Sequence, residues 1–550
     1  MGDVNAAASV KGSVADALFE LKVLSRAGIV APMRPDKALK IGATFLRWGA
    51  SPATGIATAA IHHPHETAIL DERGSLSFER VHRRSNALAD SLAKMGIGYG
   101  DGVGIMCRNH RGFVEATLAA AKLGASALYL NTMFAGPQLV EVTKREAPKA
   151  LVYDEEFTGL LEGVDDSVQR IVAWCDREDE TSELTLERLI AAGSEDNHRP
   201  PPDKPRFVIL TSGTTGTPKG AQRSSPDGLL SIAALIDRIP YRSRETMVVA
   251  APLFHSWGFF HFAIGLPTAA TLVLQRRFDP ERTLQAVQER RAQVLAAVPV
   301  MIQRILQLPE ETLAAYDLSS LRIASLSGSA LPGELALAWM DRFGDNVYNL
   351  YGSTEVAYAT VATPEDLRAA PGTAGRPPRG TEARIVGEDG SEVPRGEVGR
   401  IFVGNEMSFE GYTGGGGKEA IDGLLSSGDV GHLDADGRLF IDGRDDEMIV
   451  SGGENVFPRE VEDLLADHEA VVEVAVIGVE DDEFGQRLKA FVVLGREREA
   501  SEEELKTHVK SNLAAYKAPR EVEFLDELPR NATGKVLKRS LRDRETEKSA

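Results

Sequence analysis

Short apolar runs alternate with segments of helical periodicity along the chain between residues 58 and 350. A continuous run of β-branched and other apolar residues is typical of a buried strand, whereas apolar residues with a period of about 3.6 predict an amphipathic helix. Such alternation over this length predicts parallel sheets covered by helices on both faces. The strand-like runs are ALVYD (150–154), RIVAW (170–174), RFVIL (206–210), TMVVA (246–250), QVLAAV (293–298), LRIASL (321–326) and NVYNLY (346–351), and helices such as 85–96 and 114–125 lie between them.

The pattern changes after Gly375. The segments EARIVGEDG, EVGRIFVGN and GRLFIDGRDD are short strands with Gly/Asp turns, which predicts an antiparallel, barrel-like region. The C-terminal part then restarts with helix VFPREVEDLLADH, strands VEVAVIGV and KAFVVL, and helix EEELKTHVKSNLAA. We therefore predict an α/β protein: a large N-terminal domain of parallel-sheet subdomains plus a small β-barrel-like subdomain, followed by a small α+β C-terminal domain.

One apolar stretch is long enough to cross a bilayer. Residues 247–274 contain no Asp, Glu, Lys or Arg, but Pro252, Pro267, His255 and His261 interrupt them. We interpret this stretch as a strand, a loop, a helix and a second strand in the core of a globular protein.

Composition and charge restrict the function classes. A chain of 550 residues is too long for one core and predicts two or more domains. A net charge of −20 argues against a general affinity for nucleic acid or for an anionic membrane, since both need a positive surface. The two cysteines, Cys107 and Cys175, cannot make a disulfide framework or a zinc cluster, which favours a cytoplasmic location.

The first 50 residues differ in charge from the whole. They carry seven Lys/Arg and four Asp/Glu, a local charge of +3, with apolar residues interleaved. This segment could be an amphipathic element that touches a membrane peripherally, or a helix that packs on the domain.

The stretch TSGTTGTPKG (211–220) follows a strand, as an anion-binding loop should. Its glycines let backbone N–H groups turn inward, its hydroxyls add donors and Lys219 adds charge. It is not a Walker A loop, because that loop needs Gly-Lys-Ser/Thr and Lys219 here stands between Pro218 and Gly220. Taken alone, the stretch fits a phosphate loop and a plain linker equally well.

Further motifs follow in order: SGSALPG (327–333), NLYGSTE (349–355), GRP (375–377), SSGDVG (426–431), GRDDEMIVSGGEN (443–455) and LPRNATGKVLK (528–538). With the first loop they resemble the adenylate-forming superfamily, which includes acyl-CoA synthetases, luciferases and peptide-synthetase adenylation domains. The resemblance covers residues 58–540. It implies three regions: an N-terminal extension (1–55), an adenylate-forming domain (56–443) and a mobile C-terminal lid domain (444–550).

The resemblance implies a nucleotide site. Tyr351 is expected to stack on adenine, Asp429 and Arg444 to hold the ribose, and Glu355 to bind a magnesium ion that keeps most of its waters. The first loop is expected to hold the phosphates that leave as pyrophosphate. The further expected ATP-binding residues are Thr211, Ser212, Gly213, Thr214, Thr215, Gly216, Lys219, Gly328, Ser329, Ala330, Asn349, Gly352, Ser353 and Thr354.

By the same resemblance, Lys535 enters the site and bridges the carboxylate substrate and the α-phosphate. A compact ammonium group suits this role because the carboxylate and the triphosphate repel each other. No general base is needed, since the attacking carboxylate is already ionised at neutral pH.

The second half-reaction needs another surface, because Lys535 would block access of a thiol. In the family the C-terminal domain therefore rotates about a residue two positions after the ribose-binding arginine, here Asp446. The rotation presents Ser451, Gly452 and Gly453, where a coenzyme A arm could approach the backbone closely.

The run PLFHSWGFF (252–260) is the expected acyl end. In related ligases its histidine lies where the acyl pocket meets the thiol tunnel, so His255 is a catalytic candidate, and Trp257, Phe259 and Phe260 are candidates for lining the pocket. No charged residue in this run could pair with an amino group, which favours an apolar acid.

The leading hypothesis is an acid–thiol ligase that uses ATP, Mg²⁺ and coenzyme A to convert a medium- or long-chain fatty acid to its acyl-CoA. The alternative acceptor is the phosphopantetheine of a free-standing carrier protein. A luciferase-like oxygenase shares the first step, and a catalytically silent acyl or nucleotide sensor is a fourth reading, against which Lys535, Glu355 and Asp429 argue.

Overall fold

The structure, a computed structural model, describes residues 14–49, 51–176, 181–203, 206–211, 219–223, 228–387, 389–407, 409–413, 415–447, 449–451, 454–481, 485–496, 498–513, 517–531 and 534–549. In chain order the strands are β1 (Thr67–Asp71), β2 (Gly74–Ser77), β3 (Gly102–Met106), β4 (Ser126–Tyr129), β5 (Ala150–Asp154), β6 (Gln169–Trp174), β7 (Phe207–Thr211), β8 (Lys219–Arg223), β9 (Thr246–Val249), β10 (Thr271–Leu274), β11 (Val294–Ala297), β12 (Ile323–Leu326), β13 (Val347–Tyr351), β14 (Thr360–Ala362), β15 (Glu382–Val386), β16 (Gly399–Gly404), β17 (Phe409–Tyr412), β18 (Ala420–Ile421), β19 (Leu424–Leu433), β20 (Leu439–Arg444), β21 (Ile449–Ser451), β22 (Glu454–Val456), β23 (Val471–Asp481), β24 (Gly485–Leu494) and β25 (Glu521–Phe524).

The helices lie between and around these strands. They are α1 (Val14–Arg26), α2 (Pro35–Trp48), α3 (Pro52–His62), α4 (Phe78–Lys94), α5 (Arg111–Leu123), α6 (Gly136–Glu146), α7 (Leu186–Ala192), α8 (Leu230–Arg238), α9 (Ser256–Gly265), α10 (Pro280–Glu289), α11 (Pro299–Leu306), α12 (Glu310–Ala314), α13 (Gly333–Phe343), α14 (Pro364–Ala369), α15 (Pro458–Ala466), α16 (Glu502–Asn512) and α17 (Lys538–Ser549), with short 3-10 turns at Glu155–Leu161 and Asp445–Glu447.

Two mainly parallel sheets dominate the first 360 or so residues. One has the order β14-β13-β12-β11-β9-β10-β1-β2, and it is parallel except at its two edge strands, β14 and β2. The other has the order β17-β8-β7-β4-β3-β5-β6, with antiparallel pairing only at β8 and β17. Their strands are continuous apolar runs because both faces of a parallel sheet are covered by helices.

The remaining strands form smaller sheets within the described residues. Strands β15, β16, β18, β19 and β20 make an antiparallel sheet. Strands β21 to β25 make the C-terminal sheet, in which β24 and β25 are parallel. The fold class predicted from the hydrophobic pattern is confirmed.

The apolar stretch 247–274 forms β9, α9 and β10, as predicted for a segment of a globular core. Helix α9 has Trp257, Phe262 and Ile264 buried. Among the described residues, no helix is both long enough and apolar enough to cross a membrane.

The N-terminal helices lie against the first parallel sheet and its helices. Helix α1, in which Val23 and Leu24 are buried, contacts α8, and α2 contacts α3. Helix α3 is held by five buried residues, whereas α2 buries none of its residues. Helix α2 is therefore a surface helix, attached mainly to its neighbour.

Candidate active site

A cavity of about 1110 Å³ lies at one edge of the first parallel sheet. Strands β13, β12, β11 and β9 are consecutive neighbours in that sheet, and each is followed by a segment that lines the cavity. These segments contribute Glu355, Gly328, Val298 and His255, respectively. The carboxyl ends of parallel strands meet at one edge, which is where open α/β sheets bind ligands.

Most of the predicted site residues line this one cavity. It brings polar groups, a lysine and aromatic side chains together, although they are far apart in the sequence. The predicted residues in its wall are His255, Trp257, Phe259, Phe260, Gly328, Ser329, Ala330, Asn349, Tyr351, Gly352, Ser353, Thr354, Glu355, Asp429, Arg444 and Lys535.

Asn349 places an unpaired acceptor in the cavity wall. Its side chain is buried, and its amide oxygen makes no hydrogen bond within the described residues. A buried acceptor without a partner costs about 1–3 kcal/mol. A ligand with an N–H donor, such as the amino group of adenine, would satisfy it.

Tyr351, Asp429 and Arg444 form a connected group on one side of the cavity. The Tyr351 hydroxyl donates to Asp429 Oδ2 at 2.6 Å, and Arg444 Nη1 donates to Asp429 Oδ1 at 3.2 Å. Asp429 and Arg444 are also register partners in the β19–β20 pair. Burial, followed by the Asp429 carboxylate, raises the pKa of Tyr351 well above its usual value, so the phenol stays protonated.

Glu355 is held by two hydroxyl donors. The Tyr412 hydroxyl donates to Oε1 at 2.8 Å, and Ser353 Oγ donates to Oε2 at 2.9 Å. Each carboxylate oxygen keeps a second lone pair, so the oriented carboxylate fits a hard divalent cation that retains water ligands. Burial and the Glu355 carboxylate raise the pKa of Tyr412, which keeps this donor protonated.

The turn that carries Lys535 lies against the segment after β11. Gly534 has φ +77°, and a Cβ at that position would come within 2.2 Å of Val300 Cγ1 and 3.7 Å of Val298 Cγ2. A Cβ on Gly328 would lie 3.4 Å from Val298 Cγ1. The lysine turn and the Gly328 loop therefore share Val298 as a neighbour, and the exposed Lys535 side chain lies in the cavity wall.

The same turn is held by polar contacts. The Lys535 N–H donates to Asn531 Oδ1 at 2.9 Å, and Arg530 pairs with Glu473 at 3.0 Å. Lys538 pairs with Glu462 at 2.8 Å and with Glu447 at 3.1 Å. Burial opposes the charge on Lys538, but Glu462 and Glu447 more than offset this effect and raise its pKa, so it stays charged.

Aromatic side chains form the wall near His255. The ring of Trp257 stacks on Phe260 at a centroid distance of 5.4 Å, and its Nε1 donates to the Ala297 carbonyl at 3.1 Å. Phe259 packs against Phe207 at 5.3 Å. Burial lowers the pKa of His255 to about 4, so its imidazole is neutral at pH 7.

The cavity continues from these aromatic residues to the N-terminal helices, where its wall is apolar or neutral. The lining residues between Leu24 and Ala269 include no Asp, Glu, Lys or Arg within the described ranges. Every charged side chain in the described wall comes from residue 355 or later. We call these two parts of the wall the charged end and the uncharged end.

A separate buried cluster outside this cavity contains Cys107, His110 and Asp154. His110 Nε2 bonds Asp154 Oδ1 at 2.7 Å, and the Gly112 N–H donates to His110 Nδ1 at 3.0 Å. Both ring nitrogens thus already have protein partners, and the cluster is explained as the start of α5. Cys107 and Cys175 are both buried, and neither forms a disulfide.

Comparison with known proteins identifies the family. The profile described as AMP-binding enzyme matches residues 56–413, and the profile described as AMP-binding enzyme C-terminal domain matches residues 460–535. The chain belongs to the AMP-binding enzyme family of adenylate-forming enzymes. The resemblance seen in the motifs is thereby confirmed.

Individual relatives are similar over nearly their whole length. The chain is 32% identical over 487 residues to an indoleacetate–CoA ligase of Aromatoleum aromaticum. The aligned region covers 87% of this chain and 95% of the relative. The chain is also 29% identical over 505 residues to a fatty acid–[acyl-carrier-protein] ligase of Streptomyces coeruleorubidus, covering 88% and 94%. The crystal structure of an anthranilate CoA ligase in complex with anthranoyl-AMP superimposes with a TM-score of 0.81 at 26% identity, covering 90% and 97%.

Some predicted members of this family site lie outside the described residues or have only their backbone described. Thr211 and Lys219 are register partners in the β7–β8 hairpin, so the loop between them joins two adjacent antiparallel strands. Asp446 lies in the 3-10 turn Asp445–Glu447, and Ser451 ends β21. Outside the described residues are Ser212, Gly213, Thr214, Thr215, Gly216, Gly452 and Gly453.

Sequence reasoning missed two parts of the site. The first is the N-terminal region, expected to be an extension, which lines the cavity with Ile29, Met33, Ile41 and other residues. The second is Tyr412, which orients Glu355 from β17. An amphipathic period indicates that a helix has an inner face, but it does not indicate what that face covers.

Proposed function

We propose that the protein is an acid–thiol ligase that activates an apolar carboxylic acid as acyl-AMP, with release of pyrophosphate, and then transfers the acyl group to coenzyme A. We further propose a medium- or long-chain fatty acid as the substrate. The observation that carries the proposal is the division of one cavity: a charged end with Lys535 and Asp429, and an uncharged end that reaches the N-terminal helices.

The uncharged end favours an acid without a second charged group. An amino or second carboxylate group placed there would lose its hydration without an ion-pair partner, which is costly. The indoleacetate, anthranilate and fatty-acid ligases among the relatives act on different acids. The uncharged wall contains residues of α2, α3 and α9 together, which supports the fatty acid over the smaller aromatic acids.

In the first half-reaction, a carboxylate oxygen attacks the α-phosphorus of ATP, and the bond from that phosphorus to the bridging oxygen breaks, releasing pyrophosphate. Lys535 would place its ammonium between the two anions and offset their repulsion as charge develops. Asn349 would accept from adenine, while Asp429 would accept from the ribose hydroxyls and keep its contacts with Tyr351 and Arg444.

Glu355 would hold a magnesium ion through one carboxylate oxygen, with Tyr412 and Ser353 fixing the carboxylate. The ion supplies charge neutralisation to the phosphates when it is bound. The phosphates themselves would lie against the β7–β8 loop, with Thr354 as a further donor.

In the second half-reaction, the thiol sulfur attacks the acyl carbonyl carbon, the bond from that carbon to the AMP oxygen breaks, and the thiol proton passes to solvent. The C-terminal domain (444–550) would rotate about Asp446, remove Lys535 and present Ser451, Gly452 and Gly453 to the pantetheine arm. With a pKa of about 4, His255 is a poor base for a thiol of pKa about 8.5, so we assign it a positioning role at the acyl junction.

A second candidate acceptor is a carrier protein. The relative from Streptomyces coeruleorubidus is named as a fatty acid–[acyl-carrier-protein] ligase and matches this chain over 94% of its own length. Both acceptors end in the same phosphopantetheine thiol, so the first half-reaction would be identical.

The experiment is a substrate panel on the full-length protein. Acid-dependent ATP–pyrophosphate exchange is measured for fatty acids of increasing chain length, for indoleacetate and for anthranilate. Thioester formation is then measured with coenzyme A and with a holo carrier protein as rival acceptors. We expect the rate of exchange to rise with the chain length of the acid, and we expect thioester formation on coenzyme A. If none of the acids supports exchange, the proposal is rejected.

The remaining partners are small molecules: the acid, ATP and coenzyme A. A cytoplasmic location, favoured by two cysteines that form no disulfide, stays a proposal. The same holds for peripheral contact of the N-terminal segment with a membrane.

A further inference from the structure

Helix α2 presents an apolar stripe to solvent. Leu39 and Leu46 are 76% and 92% exposed, and their spacing of seven residues, about two turns, places them on one side of the helix. Ala38, Gly42 and Ala43 are exposed as well. Two leucines so exposed on one helix face form a contiguous apolar patch, which marks an interaction surface.

Basic residues flank this stripe. Lys40 and Arg47 are exposed beside it, and residues 31–50 carry four Lys/Arg and one Asp, a local charge of +3 in a chain of net charge −20. An apolar stripe with a basic flank is the composition of a helix that lies in the plane of a membrane surface. Each basic residue near an anionic lipid surface adds attraction to the binding.

The inner side of the same region lines the cavity. Ile41 and Phe45 of α2, together with Val30 and Met33 before it, form part of the uncharged wall. Val30 and Phe45 are nevertheless 42% and 44% exposed. Of the large apolar side chains in the described wall, these two are the exposed ones, which makes them the best candidates for an opening of the cavity.

We propose that the outer face of α2 docks on an anionic lipid bilayer and that the cavity opens beside it, so that a fatty acid passes from the bilayer into the cavity between Val30 and Phe45. The fatty-acid part of this inference rests on the proposed function, whereas the docking part does not. The exposed apolar residues of α1, Val14, Leu18 and Leu21, are a second stripe of the same kind in the N-terminal region.

Docking is tested with the full-length protein and vesicles. Sedimentation is measured with phosphatidylcholine vesicles and with vesicles that contain one quarter phosphatidylglycerol as the anionic lipid. The wild type is expected to partition more strongly onto the anionic vesicles. Leu39→Gln with Leu46→Gln should lower that partitioning by at least about tenfold, and Lys40→Gln should lower it by about fivefold.

A control pair of substitutions removes exposed apolar surface elsewhere. Met133 and Leu184 are also exposed, so Met133→Gln with Leu184→Gln should leave vesicle partitioning unchanged. Docking through α2 is overturned if the α2 pair and the control pair partition equally, or if the wild type binds neither vesicle. It is overturned equally if the α2 pair instead abolishes a dimer detected by light scattering.

Substrate delivery is tested separately from docking. Ligation is measured with palmitate supplied in anionic vesicles and with hexanoate in solution. The Leu39/Leu46 pair should lower the palmitate rate at least about fivefold and leave the hexanoate rate unchanged, because neither side chain lines the cavity. If the wild type and the Leu39/Leu46 variant have equal rates with palmitate, the delivery route is overturned. If the wild type is inactive on all acids, the proposed function is rejected, and docking is then decided by the vesicle experiment alone.

Discussion

The phenol of Tyr351 donates a hydrogen bond of 2.6 Å to the carboxylate of Asp429, across a sequence separation of 78 residues. Tyr351 ends a strand of the parallel sheet and Asp429 lies in a strand of the antiparallel sheet, so the bond joins two sheets at the cavity. Tyr351 and Asp429, the candidate residues for binding adenine and ribose, therefore hold each other in position before any nucleotide binds.

Tyr351→Phe keeps the ring and removes this hydrogen bond. Asp429 loses one of two partners, so we expect the KM for ATP to rise by about three- to tenfold with a small change in kcat. Steady-state kinetics of the exchange reaction measure it. Tyr348→Phe, on the same strand but outside the cavity wall, is the control, and an unchanged KM in Tyr351→Phe would contradict the role of the bond.

Lys535→Ala removes the ammonium from the cavity. Acid-dependent ATP–pyrophosphate exchange should fall by at least about a hundredfold, since the charge of the two anions is no longer offset. Thioester formation from supplied acyl-adenylate should be largely spared. Lys510→Ala, at an exposed position on α16, should affect neither reaction, and equal loss of both half-reactions in Lys535→Ala would reject the domain rotation.

Gly534→Ala tests the contact between the lysine turn and Val300. The new Cβ would meet Val300 Cγ1 at 2.2 Å in a residue with φ +77°, so the turn must move. We expect a loss of adenylation of at least about tenfold, in proportion to the displacement of Lys535. Gly390→Ala is the control for backbone strain without a steric clash, because Gly390 has φ +80° and a Cβ there would meet no atom within 4 Å. Similar losses of adenylation in both variants would contradict the importance of the contact between Gly534 and Val300.

The loss of folding stability at acid pH should depend in part on His261. Its Nδ1 bonds the Trp257 carbonyl and its Nε2 bonds the Tyr241 hydroxyl, and burial lowers its pKa to about 4. Between about pH 6.5 and 4 the unfolded chain binds a proton that the folded chain does not bind, so stability falls as the pH falls. This residue should contribute about 2 kcal/mol between pH 7.5 and 5.

Urea unfolding at these two pH values measures the effect. His261→Gln should reduce the difference between the two midpoints. Part of the remainder should come from the other histidines whose pKa values burial lowers, which are His255 (to about 4), His82 (to about 3) and His62. His65→Gln, at an exposed position, is the control. An unchanged pH difference in His261→Gln would show that its protonation is not coupled to folding.

The parallel strands could be predicted because a strand buried on both faces reads as an unbroken apolar run. All seven runs between residues 150 and 351 correspond to strands, with ends that differ by one or two residues; β7, for example, begins at Phe207 rather than Arg206. Ends are less predictable because hydrogen-bond pairing with neighbours determines them.

The candidate site was predicted as separate motifs, and the contacts between them were not. Nothing in YGSTE or SGD indicates the bond from Tyr351 to Asp429, because pairing across 78 residues is decided by the packing of two sheets. The uncharged wall from α2 and α3 was missed for a related reason. Their amphipathic pattern fits any apolar partner, including the cavity that they line.

Lys538 and its partners Glu447 and Glu462 all belong to residues 444–550. The support of the Lys535 turn would therefore travel with it in a rotation about Asp446. Such a rotation would have to break contacts with the large domain, among them those of Gly534 with Val300 and of Gln303 with the Val472 carbonyl. Because these ion pairs would move together with the turn, Lys535 could leave the site and return to it without its turn having to refold.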